Sequence, residues 1–134
     1  MSVSKDVVAH LVAEGVGTED SSLFAHPVEP GNQQSIAIPS VWVFSDNSVP
    51  PERYLSSGRV VDWRHSVTVR IRAHQSKFHD GEAKSQEVMD VLEQANITGY
   101  YSVTIQEPYR NVGKDGLGNH EWELKVLLQT KEIL

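Results

Sequence analysis

Between residues 59 and 74, Val61, Trp63, His65, Val67, Val69 and Ile71 alternate with Asp62, Arg64, Ser66, Thr68, Arg70 and Arg72. Strict alternation over this length predicts a long β-strand with one dry and one wet face. Such a strand belongs to an antiparallel sheet, because buried parallel strands are apolar on both faces. The alternation returns twice. Tyr101, Val103 and Ile105 alternate with polar residues over 100–107, and Pro108 is expected to stop that strand. Over 120–130, Trp122, Leu124, Val126 and Leu128 share a face, while Glu121, Glu123, Lys125 and Gln129 share the other and Leu127 breaks the pattern. The Gly-rich stretch 111–119 between these two segments predicts a hairpin turn.

Helical spacing appears in two places. Val7, Val8, Leu11 and Val12 form a stripe over 4–14, with Ser4 placed to cap, Asp6 in the first turn and Gly15 at the exit. Val88, Val91, Leu92 and Ala95 form another over 80–95, with Asp80 as N-cap and Asn96 and Gly99 as the exit. Val41–Phe44 reads as a buried strand. Residues 15–40 are otherwise rich in turn formers, with Leu23 and Phe24 a brief apolar patch and 36–38 a possible edge segment limited by Pro39. Residues 45–58 form a polar loop, stiffened by Pro50 and Pro51 and tipped by Tyr54 and Leu55. Loops of that length tend to be functional or mobile. The element order predicts an α+β domain: an antiparallel sheet with helices packed on one face. No internal repeat interrupts it, and 1–134 is expected to be one domain.

Composition narrows the function. With 134 residues the chain can bury a core without covalent staples, and its lack of cysteine excludes disulfides and cysteine-ligated metal. A net charge of −6 disfavours tight binding to nucleic-acid backbones. No apolar run approaches the roughly 20 residues of a membrane span, and the first residues show no signal-peptide pattern. The expectation is a soluble protein of the cytoplasm, or of a particle assembled there.

Catalytic chemistry needs convergent groups, and the pattern offers few. The histidines at 10, 26, 65, 74, 79 and 120 form no helical zinc motif. His74 and His79 read as exposed loop residues, and His65 as a core or interface histidine. No Gly-x-Ser-x-Gly occurs. The run Gly113–Gly118 lacks P-loop spacing and precedes a strand. Glu82, Glu87, Asp90 and Glu93 read as a solvated helix face. No catalytic residue, metal site or cofactor is expected. Arg64, Arg70 and Arg72 share the wet face of the long strand. They are expected to pair either with the acidic face of Glu121 and Glu123 or with acids of a neighbouring subunit. No interleaved aromatics support single-strand nucleic-acid binding there.

Taken in order, the strand Ser66–His74, the helix Ala83–Leu92, the strand Tyr100–Ile105, the Pro108 to Asn119 turn and the strand Glu121–Leu128 resemble the tail-terminator, or tail-completion, and minor-capsid proteins of long-tailed siphovirus bacteriophages. In that family a V-x-V-R strand leads into a helix, and a turn carrying Pro, Gly, Asp and Gly introduces a final strand. The similarity spans about residues 36–130, with a departure at Asn119–His120, where the family carries a basic residue. The resemblance implies a non-enzymatic virion subunit at the neck end of the tail. It implies a hexameric ring that caps the head-proximal end of the tail tube, ends its polymerisation and offers a surface for head joining. The implied partners are further copies of the chain, the tail tube protein and the head connector or stopper protein. DNA would pass through the ring without specific binding, and no membrane is involved.

Candidate interface residues are Pro50, Pro51, Arg53, Tyr54 and Leu55 in the loop, with Arg64, Arg70 and Arg72 on the strand. Two other readings stay open. One is a head-completion or stopper protein of the same neck. The other is a small ligand-binding or catalytic α+β domain, with His65, His74 or His79 lining its pocket.

Overall fold

The computed structural model describes residues 3–18, 22–25, 39–45, 52–53, 60–116 and 118–133. The elements run α1 (Val3–Ala13), β1 (Leu23–Phe24), β2 (Ser40–Ser45), β3 (Glu52–Arg53), β4 (Val60–Ala73), α2 (Phe78–Leu92), β5 (Ser102–Lys114) and β6 (His120–Ile133). The strands form one sheet in the order β1-β2-β4-β6-β5, with β3 also paired to β4. This is the expected α+β architecture. The sheet is mixed rather than purely antiparallel, because β1 runs parallel to β2. The patch Leu23–Phe24 is thus an edge strand, too short to show a period in the sequence.

The long strand β4 organises the sheet. Its register against β6 sets Val67 opposite Val126, Val69 opposite Leu124 and Ile71 opposite Trp122. On its other side, Val41 and Val43 of β2 pair with Ile71 and Val69. These side chains form a continuous apolar face, buried beneath the two helices. Val7, Val8 and Leu11 of α1, and Val88 and Leu92 of α2, complete the core from above. Val12 is the exception to the α1 stripe, at 39% exposure. The stripe is narrower than its spacing suggests because α1 packs chiefly on the short outer strands.

Both helices end in identifiable turns. After α1, Val16 N–H donates to Leu11 O (3.0 Å) and Gly15 N–H to Val12 O (3.1 Å), with Gly15 at φ 77. This is a Schellman motif, and it explains why Gly15 stops the helix. Helix α2 begins two residues before the expected Asp80 cap. Lys77 is the N-cap, without a side-chain hydrogen bond, and Asp80 lies in the first turn. The helix ends at Leu92 rather than near Ala95. Glu93 is extended, Gln94 adopts φ 54, and Ala95 N–H returns to Leu92 O, closing a tight turn. Gln94 carries no sequence mark for that conformation.

Pro108 does not stop β5. The strand continues to Lys114, with register shifts between Ile105 and Glu107, Glu107 and Arg110, and Asn111 and Gly113. β5 is the sheet's outer strand, so a residue without an N–H is tolerated there. The last two strands pair as the expected hairpin. In its turn Asp115 N–H bonds Asn119 O, and Asn119 N–H bonds Asp115 Oδ1 (both 2.9 Å).

Candidate assembly interface

The face of the sheet turned away from the helices is polar in composition and largely buried. Asp62, Ser66, Thr68 and Arg72 of the wet face are all below a tenth exposed. The alternation therefore separates apolar from polar more than dry from wet. What makes polar burial tolerable is mutual satisfaction across strands. The register places Arg70 opposite Glu123 and Arg72 opposite Glu121. Arg70 Nη2 donates to Glu123 Oε2 (3.0 Å) and Arg72 Nη2 to Glu121 Oε2 (3.2 Å). Arg72 Nε lies 3.3 Å from Asp115 Oδ2, tying the hairpin turn to β4. The guanidinium of Arg72 also sits 4.8 Å from the centre of the Trp42 ring, and that of Arg70 5.5 Å from Phe44. Trp42 in turn stacks on Phe24 at 5.6 Å.

Arg70 and Arg72 thus meet the acidic face of their own chain. Arg64, on the same strand face, is half-buried. Pro50, Pro51, Tyr54, Leu55 and the Arg53 side chain lie outside the described residues, as do segment 36–38 and His26. Within 45–58, the backbone of Glu52 and Arg53 pairs with Asp62 and Val61, so part of the expected loop is strand.

A second network closes the other end of the polar face. Tyr101 donates to Asp62 Oδ1 (2.6 Å), and Gln129 Nε2 donates to Asp62 Oδ2 (3.1 Å) and to the Tyr101 oxygen (3.1 Å). Lys131 Nζ lies 4.8 Å from the centre of the Tyr101 ring. Tyr101 remains 50% exposed. An aromatic held this firmly yet open to solvent has the character of an interface anchor. The sequence showed only its alternation.

The described histidines do not converge. His65 Nε2 lies 3.3 Å from Thr130 Oγ1, and its ring meets Tyr100 edge-on at 6.2 Å. Burial pushes its pKa below the ordinary histidine value. His74 bonds Ser76, while His79 sits on α2 against Phe78. Among the described residues no three metal-ligating side chains gather, and no helix is long and apolar enough to cross a membrane.

Among the described residues the structure also shows a cleft at α1. Asp6, Ala9 and His10 of α1 and Asn96, Ile97 and Thr98 of the α2–β5 connection line a cleft of about 270 Å³. Tyr100 donates to Asp6 Oδ2 at its side (2.6 Å). Burial, together with that acceptor and its charge, raises the Tyr100 pKa, so the phenol stays protonated.

No family model matches the chain, and no curated protein matches it. Among solved structures, it is similar to a chain described as "Virion of native gene transfer agent (GTA) particle". The identity is 14%, the TM-score is 0.67, and the match covers 97% of this chain and 95% of that one. At that identity the likeness establishes a shared fold.

Proposed function

We propose that this protein is a structural subunit of a phage-like virion. It assembles as a ring, in the reading a hexamer, on the head-proximal end of a tail tube. There it ends tube growth and presents a surface to the head connector or stopper protein. The observation that carries the proposal is the end-to-end likeness to a virion chain, which leaves no sizeable part of either chain unmatched. The polar face supports it as well. Its charged groups are spent on one another in fixed geometry rather than turned toward a reacting centre. A net charge of −6 suits a ring through which DNA passes without sticking.

The test is the native mass of the purified protein, alone and mixed with tail tube protein. A ring bound to the tube end, and tubes of fixed length in its presence, is the expected result. Binding to the portal side alone would assign it instead to head completion. A monomer under every condition would end the reading.

A further inference from the structure

The cleft and the hairpin tip occupy opposite ends of the molecule. β5, thirteen residues long, starts beside the cleft shortly after Tyr100 and ends at Lys114, opposite His120. Its register shifts absorb residues, so the β5 arm covers only the stretch from Gln129 to His120 of β6, roughly 30 Å at about 3.3 Å per residue. Helix α2 confirms the direction: Phe78 at its start packs on His120 at 5.0 Å, while Asn96–Thr98 follow its end.

Each end carries groups without a side-chain partner among the described residues. At the tip, Lys114 is exposed and makes no side-chain hydrogen bond or ion pair among the described residues. Beside it Val112 is 43% exposed, at the point where the register shifts between Asn111 and Gly113. In the cleft, Asp6 uses Oδ2 for Tyr100, and Oδ1 has no side-chain donor among the described residues. The side chains of His10 and Asn96 are likewise without a hydrogen-bond partner among the described residues. Ala9 and Ile97 supply apolar wall, and Val12, one turn along α1 from Ala9, extends it at 39% exposure.

We infer that the hairpin tip of one copy docks in the cleft of the next, Lys114 against the Asp6 carboxylate and Val112 against Ala9 and Val12. The inference rests on the ring reading and names the contact that would build it. The occupant is a second copy because the tip and the cleft are complementary in charge and in apolar surface. Two unlike patches at opposite ends of one chain make a head-to-tail contact, the kind that closes into a ring when the rotation permits. Fixing Asp6 through Tyr100 removes part of the ordering cost of the contact.

The absence of native cysteine allows a direct test. Ala9 is exposed, and a Cβ at Gly116 meets nothing within 4 Å, so Ala9→Cys and Gly116→Cys leave the fold intact. Carried together in one chain, with tail tube protein present, they are expected to give a disulfide-linked ladder that ends at the mass of the ring. Either single variant should give dimers at most. Adding Lys114→Glu should weaken association about tenfold, equivalent to about 1.4 kcal/mol, with an unchanged circular dichroism spectrum. Rings that form without the 9–116 link and tolerate Lys114→Glu would overturn this contact and leave the ring reading standing. No oligomer of the unmodified chain, with or without tube protein, would overturn both.

Discussion

Gly81 of α2 lies directly on the Trp122 indole of β6. A Cβ at position 81 would overlap the Trp122 ring and approach the Ala73 Cβ to 2.8 Å. The glycine lets the helix descend onto the sheet at its largest fully buried side chain. Alanine gains about 1 kcal/mol of helix propensity. Overpacking costs about 1–3 kcal/mol and more where, as here, an indole must shift. Gly81→Ala is therefore expected to destabilise the domain by about 1–2 kcal/mol, read as a lower urea midpoint at unchanged slope. An unshifted midpoint would mean that the helix rides higher than described.

Arg70 and Arg72 share a strand face but not an environment. The Arg72 side chain is 10% exposed, the Arg70 side chain 37%. Removing Arg72 takes the cation from Asp115, which keeps its Asn119 donors, and leaves Glu121 with Arg70 Nε at 3.6 Å, so Arg72→Ala is expected to cost about 2–3 kcal/mol. Arg70→Ala, in a partly solvated pair, should cost about 1 kcal/mol or less. Salt should attenuate the second effect more than the first. Equal losses in denaturant titrations would contradict the burial difference.

His65 links stability to pH. Burial lowers its pKa below the ordinary value of 6.5, so the folded protein holds it neutral. Near and below pH 6.5 the unfolded chain binds the additional proton. This contribution is fully present above pH 6.5 and declines as pH falls through 6.5 toward the lower folded pKa. His65→Gln should flatten that part of the pH–stability curve and leave the rest unchanged. A curve of the same shape in the variant would place the titration elsewhere.

Tyr100 joins the start of β5 to α1 through Asp6. Tyr100→Phe keeps the ring against His65 but removes the donor. The expected loss is about 1–2 kcal/mol, concentrated in faster amide exchange along α1. Exchange rising uniformly over the whole domain would show instead that α1 does not open by itself.

Much of this was legible in the sequence, because β4 and β6 carry their periods openly. Val67, Val69 and Ile71 alternate with polar residues, and the same alternation in 121–129 fixes which faces meet. Charge pointed to the acidic face of Glu121 and Glu123 or to a neighbouring subunit's acids as partners of Arg70 and Arg72, and the register sets them opposite Glu123 and Glu121. What was hidden depends on neighbours far along the chain. Pro108 looks like a stop until its strand is seen to lie at the sheet edge. Leu23–Phe24 becomes a strand only because β2 lies beside it. Asp6, His10 and Asn96 meet in one cleft because the body of α1 lies beside the connection that follows α2, and no local spacing announces it.

The irregularity of β5 also governs how the sheet edge meets other chains. An even outer strand would invite any passing chain to extend its ladder without limit. Beyond Ile105 this edge is broken by Pro108 and by repeated slips in register, so a newcomer finds no run of evenly spaced donors and acceptors. Edge-to-edge stacking into fibres is thereby disfavoured. A contact along the outer half of the arm would therefore fall to side chains, which discriminate orientation more sharply than a backbone ladder.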